Sequence, residues 1–506
     1  MKPQNIYIGF TTIILFLFSC RQGSEKELPV MNSIQLENSI LSLTKEATNL
    51  NVPWDLQYDR INDAILFSEI GGAIRRLDIK SKQVLLIDSI PDVYQQRTLG
   101  LLGMALYQPE NEQAYLYLSY TSKKDSSIFS NLYRYNYNPT GRLSNPVQLL
   151  QIPGNTGHNG SRIVISPDKK VYWATGDAAT DTYAQDSTSL NGKILRLNLD
   201  GSIPKDNPIA NSYVYAWGFR NMQGLTYSTE GILYTSEHGD AIEDEINLIL
   251  PLKNYGWPLV EGTVDTDEEK AKVKSLAIEE PIKSWTPVIA PAGIAYYGSD
   301  AIPEWKNSLL LTTLKNQSLR VLTLSDDGRD IIGEQILFQN ILGRLRSVVT
   351  LPNGDIYFCS SNRDWNPQKG FPTQEDDVIY RLRISDKAYA PILHAQIPQT
   401  QPEAKDGQAL YEAYCTSCHK SDGEGLTNTF PPLANSKTVN GEEKALLQIV
   451  LHGMQGKTIE SIKYEGVMPG FSFLTDAEII TITNYIRINF GNHASEIKST
   501  SLKSLR

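Results

Sequence analysis

A chain of 506 residues is too long for one ordinary domain and long enough to bury a sizeable core. Its content, 41% hydrophobic and 21% charged, is that of a globular protein, and 57 acidic residues against 47 basic ones leave a formal charge of −10. That balance argues against a nucleic-acid partner, which would want a basic face.

The first element reads as an export signal. Lys2 precedes an apolar run from Ile6 to Phe18. The run is shorter than the about 20 residues that span a bilayer, and it fits the core of a secretory signal. It ends in Leu17-Phe18-Ser19-Cys20, which resembles the lipobox of bacterial lipoproteins. The resemblance implies a lipoprotein signal peptide over 1–20, a lipid on Cys20 and an N-terminal tether over 21–35. The protein is then expected on the periplasmic side, anchored to a membrane. Arg21 and Gln22, where an acidic residue would favour inner-membrane retention, direct that expectation to the outer membrane. The alternative is a plain signal peptide with a chance cysteine.

Residues 36–388 read as β. Short apolar runs recur behind turn residues at Asn62–Glu69, Asn111–Tyr120, Pro167–Asp177, Thr229–Glu237, Trp305–Thr313 and Pro352–Ser360. Asp, Asn or Gly before a β-branched or aromatic run is a hairpin signal. Repeats at this spacing predict propeller blades, each needing its neighbours to bury its faces. A pair of packed β-sandwiches is the other reading of the pattern. Cys359, in the strand-like run IYFCSS, is expected to be a buried, inert thiol. No structural disulfide is indicated among the four cysteines.

Residues 389–404, rich in Pro, Gln and Ala, read as a linker. Helical spacing begins at Lys405, and Thr475-Asp476-Ala477-Glu478 reads as a capping box before a last helix. Residues 491–506 read as a polar, frayed tail. Between them stands Cys415-Thr416-Ser417-Cys418-His419, the attachment signal of one covalent haem c, with the thiols on the vinyl groups and His419 under the iron. A zinc site would want two further ligands at close spacing, and His452 is the only other histidine of residues 405–490. Met468, in GVMPGF, is the expected sixth ligand, with Met454 the competitor. The MPGF setting, Pro431-Pro432-Leu433, and Gly407, Tyr411 and Tyr485 resemble class I cytochromes c over 405–490.

Three clusters in the β region are unusual. His158-Asn159-Gly160-Ser161-Arg162 puts a histidine in a glycine-rich loop, and Trp217-Gly218-Phe219-Arg220-Asn221-Met222-Gln223 crowds polar groups between apolar strands. Ser236 to Glu245 concentrates carboxylates, which suggests oxygen ligands for a hard cation. Lys315, Arg344 and Arg346 follow strands, where each alone is an ordinary charge.

Together with LLGMALY, SLNGKILRLNLDGSIPKDNP, NYGWP and GRLRSVVTLPNGDIY, these stretches resemble the glucose/sorbosone dehydrogenase family over about 350 residues in register. The resemblance implies a six-bladed β-propeller that uses pyrroloquinoline quinone (PQQ) and calcium, and so a multidomain chain: an all-β propeller over 36–388, then a small all-α cytochrome c domain. It implies His158 as general base, Asp177 as its acidic partner, and Arg220, Asn221, Gln223, Lys315, Arg344 and Arg346 around PQQ. The backbone carbonyls of Gly239 and Asp240 would hold calcium, and Glu245, Tyr255 and Asp265 match a second, structural calcium site. Two departures bear on substrate and metal: Thr98-Leu99-Gly100 replaces the usual residues before LLG, and Asp240 stands where proline is usual.

The expected function is oxidation of an aldose or related sugar alcohol group, by hydride transfer to PQQ, with electrons relayed to haem c. The partners expected are a sugar, a downstream cytochrome or respiratory acceptor, and the membrane through Cys20; oligomeric state is open. A dehydrogenase of a non-sugar alcohol or aldehyde is the first rival. A haem-tagged binding propeller without catalysis is the second.

Overall fold

The computed structural model describes residues 25–138, 142–398, 406–456, 458–464, 466–502 and 505. The expected signal peptide, Cys20 and the end of the expected linker lie outside them.

Residues 25–138 and 142–398 form a six-bladed propeller. The six hairpin stretches each supply the second strand of one blade: Ala64–Glu69, Tyr115–Lys124, Lys170–Thr175, Leu233–Glu237, Ser308–Thr313 and Ile356–Ser360. Second strands have sheet neighbours on both sides, so they read as near-continuous apolar runs, and Ala64–Glu69 is buried throughout. The first strand of each blade lies innermost and touches the first strand of the next. The ring closes where Leu345–Thr350 meets Pro53–Asp59. The apolar faces pack between blades. One core joins Leu56 and Phe67 of blade 1, Met104 and Leu116 of blade 2, and Tyr357 and Cys359 of blade 6. Burial pushes the Cys359 thiol up to about 12, so it is inert.

Closure uses the N-terminal strand. Ile40–Ala47 pairs antiparallel with Ile379–Ile384, with Leu43 opposite Leu382, and so becomes the fourth strand of blade 6. Two shorter strands extend this sheet beyond the expected limits of 36 and 388. Val30–Gln35 pairs with Ile40–Ala47, and Ile392–His394 then adds in parallel, with Ser33 opposite Ile392. Stretches read as tether and linker therefore cover a sheet edge that would otherwise stay open for pairing.

The C-terminal domain has helices over Gly407–Tyr414, Thr416–His419, Glu443–His452 and Asp476–Ile488. Asp406 caps the first by accepting from Ala409 N at 2.7 Å, and Thr475 with Glu478 forms the capping box of the last. The two helices cross at Gly407. A Cβ there would lie 2.4 Å from Tyr485 Cβ, so only glycine permits the approach. The tail is not frayed: Ile497 and Leu502 are buried against Leu447 and Ile479, and the Asn492 amide donates to Leu433 O at 2.8 Å and Ile486 O at 3.0 Å.

Candidate functional site

In an antiparallel blade, the turn from the second to the third strand and the crossover to the next blade lie at the same end. His158, Arg220 and Arg344 sit on crossovers; Asp177, Gly239, Asp240 and Lys315 sit on second-to-third turns. Ring closure thus gathers groups from distant parts of the chain at one mouth.

His158 has φ +52°, and its ring Nδ1 lies 2.9 Å from Asp177 Oδ1. The close approach depends on Gly176, where a Cβ would sit 2.0 Å from His158 O. Asp177 is buried. It also accepts from Ala179 N at 2.8 Å and from Trp257 Nε1 at 2.8 Å. A carboxylate held this way keeps the proton on Nδ1 and leaves Nε2 as the basic nitrogen. Trp257 is therefore part of the site; its motif NYGWP is among the family-like stretches, but no role was expected for the indole.

Arg220 spans the mouth. Nη1 donates to Gly239 O at 2.8 Å, Nη2 pairs with Asp240 at 2.6 Å, and the guanidinium lies 5.3 Å from the Trp257 ring. Its Nε is buried without a partner. The backbone N–H of Arg220 donates to Glu237, as does Asn221 N at 3.2 Å. Burial, with Glu245 beside it, pushes the Glu237 carboxyl well above its ordinary range. Lys315 lines the cavity with Arg220 and His158, and burial pulls its pKa down.

Four residues expected around PQQ lie instead outside the cavity lining. Asn221 Oδ1 accepts from Gly160 N at 3.2 Å and from Gln223 Nε2 at 3.0 Å, so this pair braces the His158 loop from below. Arg346 pairs with Asp364 at 2.5 Å, and Arg344 lies 3.8 Å from the same carboxylate. Asp364 sits far along the chain in sequence terms from most of the mouth, and its role appears only when blade 6 folds.

The calcium expectations fall on groups that are already engaged. Gly239 O accepts from Arg220 Nη1 at 2.8 Å, and the Asp240 carboxylate pairs with Nη2 at 2.6 Å, so a guanidinium already sits against both residues. Glu245, Tyr255 and Asp265 do not present a free donor set. Glu245 accepts from Gly262 N at 2.7 Å and Asn247 Nδ2 at 2.8 Å, the Tyr255 hydroxyl donates to Leu248 O at 2.7 Å, and Asp265 is exposed. Among the described residues no group of three or more His, Cys, Asp or Glu is placed to hold a metal ion.

In the helical domain the attachment residues share one short turn, with His419 N donating to Cys415 O at 2.9 Å. His419 Nδ1 lies 2.9 Å from Pro431 O, which leaves Nε2 for a metal. Burial pulls its pKa down and so favours the neutral, ligating form. Burial pushes Cys415 up to about 12 and Cys418 up to about 11. Met454 and Met468 lie side by side, each backbone N–H donating to the other's carbonyl, at 2.8 and 2.9 Å. Both line the cavity, so the geometry keeps both as ligand candidates.

The two sites open into one space. A single cavity of about 590 Å³ has His158, Arg220 and Lys315 at one end and Cys418, His419 and Met468 at the other. Partly buried cations and an unpartnered Arg220 Nε at one end fit a ligand with several carboxylates such as PQQ. Apolar walls with two thiols and an imidazole at the other fit a haem.

A closed propeller with an acid-paired histidine at its mouth, followed by a helical CxxCH domain, defines a class of redox protein. A family profile described as Glucose / Sorbosone dehydrogenase matches residues 50–366, and one described as Cytochrome c matches residues 404–488. The chain belongs to the glucose/sorbosone dehydrogenase family and carries a cytochrome c domain behind the propeller. It is 29% identical over 408 residues to the quinoprotein glucose dehydrogenase B of Acinetobacter calcoaceticus, which covers 64% of this chain and 85% of that one. The PQQ-bound form of the aldose sugar dehydrogenase of Streptomyces coelicolor superposes with a TM-score of 0.59 at 30% identity, over 68% of this chain and 98% of that one. The helical domain is 36% identical over 98 residues to cytochrome c-552 of Thermus thermophilus, 18% of this chain and 73% of that one.

Proposed function

We propose that this protein oxidises the anomeric hydroxyl of an aldose, with PQQ in the propeller mouth as acceptor and a haem c on Cys415 and Cys418 as the outlet. The observation that carries the reading is the shared cavity: the His158–Asp177 pair and the CxxCH turn face the same space. Bound there, PQQ supplies a two-electron acceptor and haem c a one-electron carrier.

His158 Nε2 takes the hydroxyl proton, and Asp177 stabilises the imidazolium that forms. Arg220 and Lys315 would meet carboxylates or oxygens of the bound quinone, while Arg344 and Arg346, outside the cavity lining, pair with Asp364. The backbone carbonyls of Gly239 and Asp240 would hold calcium if Arg220 gives way there. Oxidation of one sugar to its lactone releases two electrons and two protons. The electrons leave singly, and an external cytochrome or respiratory component accepts each in turn.

The test uses haem-loaded protein, PQQ, calcium and a panel of aldoses, with the reduced haem bands as readout. Reduction that requires all of PQQ, calcium and sugar supports the reading. PQQ binding without reduction by any sugar would move the substrate to another alcohol or aldehyde, a second reading kept by Thr98-Leu99-Gly100, where Leu99 is fully buried rather than offered to a sugar. Absence of PQQ binding would sink the enzyme.

We further propose that a lipid on Cys20 anchors the protein to the outer membrane on its periplasmic side. Radiolabelled fatty acid should enter the wild-type chain and not Cys20→Ser.

A further inference from the structure

The two domains touch through a small group of side chains that neither the dehydrogenation site nor the haem attachment accounts for. In blade 6, the loop between Ile356–Ser360 and Ile379–Ile384 carries Asp364 and Trp365. Asp364 is the carboxylate that holds Arg346 at 2.5 Å, and it also accepts from Trp365 N at 2.7 Å. The base of Trp365 is thus pinned to the propeller mouth. Its indole reaches the other domain: Nε1 donates to Ser417 O at 3.0 Å, inside the CxxCH turn. The Trp365 ring lies 6.2 Å from Phe430, tilted by 52°, and Lys420 Nζ lies 5.6 Å from its centre. Phe430 directly precedes Pro431, whose carbonyl orients His419. Phe430 also faces Arg97 of the crossover between blades 1 and 2, at 5.9 Å.

A tryptophan packed where two domains happen to meet is the plain explanation. Two features go beyond it. The indole N–H is spent on the one backbone segment that carries both haem thiols, and the loop presenting it is tied to the mouth by the same carboxylate that holds Arg344 and Arg346. We propose that Trp365 is a positioning residue that seats the haem domain over the propeller mouth and keeps the CxxCH edge facing the sugar-oxidising site. The chain Arg346–Asp364–Trp365–Ser417–Cys418 is also a continuous bonded and hydrogen-bonded route from blade 6 to a haem thiol. Electron transfer weakens steeply with separation, so a seat that closes the gap governs the hand-off and leaves the sugar chemistry alone. This inference rests on the proposed function for its kinetic arm only.

The test compares full-length, haem-loaded wild type with Trp365→Phe and Trp365→Ala, after checking that haem spectra and far-ultraviolet dichroism match. Three readouts separate the possibilities: stopped-flow haem reduction by sugar with PQQ and calcium present, turnover with a soluble dye that takes electrons directly at the mouth, and small-angle X-ray scattering without sugar or PQQ. Losing one hydrogen bond and one aromatic contact should shift the docked population by about tenfold or more in Trp365→Ala. Haem reduction should slow accordingly, dye turnover should stay at the wild-type level, and the radius of gyration should grow. Trp365→Phe keeps the ring and loses the N–H, so it should fall between. Haem reduction and scattering unchanged in Trp365→Ala would overturn the seat, and so would equal losses of dye turnover and haem reduction. If wild type turns over neither dye nor haem with any sugar, the proposed function fails, while scattering still decides the seat.

Discussion

The haem domain and the propeller mouth solve the same problem, holding reactive groups in a cavity, by opposite routes. Cys415, Cys418 and His419 come from one helical turn, and the orienting carbonyl of Pro431 is a short loop away. The mouth draws His158, Asp177, Arg220 and Lys315 from three blades and their crossovers, and no two of them share a turn. A local site survives as long as its turn survives. A distributed site needs the whole ring closed, and its second layer of Glu237, Trp257 and Asp364 is as dispersed as the first.

Substitutions can break or sharpen that contrast. The largest effect is expected from His158→Ala, which should lower sugar-driven haem reduction by about 10²–10⁴-fold and leave the haem spectrum intact. A changed spectrum would mean that the two sites are not separable. Asp364→Ala should come next, since it strands two partly or fully buried guanidinium groups. Breaking one partner out of a buried pair costs about 3–5 kcal/mol. Denaturant unfolding followed by tryptophan fluorescence should show that loss in the propeller, while haem absorbance reports an unaltered attachment turn.

Gly407→Ala tests the other domain. The new Cβ would meet Tyr485 at the helix crossing, and overpacking of this kind costs about 1–3 kcal/mol. Calorimetry should show the cytochrome transition moving down and the propeller transition staying in place. The smallest effect is expected from Thr475→Ala, which removes the cap of the last helix for about 1 kcal/mol. A propeller transition that moved with either variant would show that the two domains unfold as one unit, contrary to the separation of their cores.

Much of this protein was determined by sequence alone, and always where the covalent chain sets the geometry. The CxxCH spacing, the capping box at Thr475, the glycine at 407 and the six second strands are all local patterns, with periods of a turn or a pleat. His158 and Asp177 were legible because the family motif runs through one hairpin, Gly160–Ile165 with Lys170–Thr175, whose open end the two residues flank. Tertiary structure decided the rest. It turned Asn221 and Gln223 inward to brace a loop, paired Arg344 and Arg346 with Asp364, engaged Glu245 and Tyr255 with the backbone and Asn247, and joined the N-terminal strands to blade 6. It also brought Trp365 to Ser417. Each of these contacts depends on where a closed ring and a docked domain put segments far apart in the chain, and a pattern that repeats over a few residues carries no record of that distance.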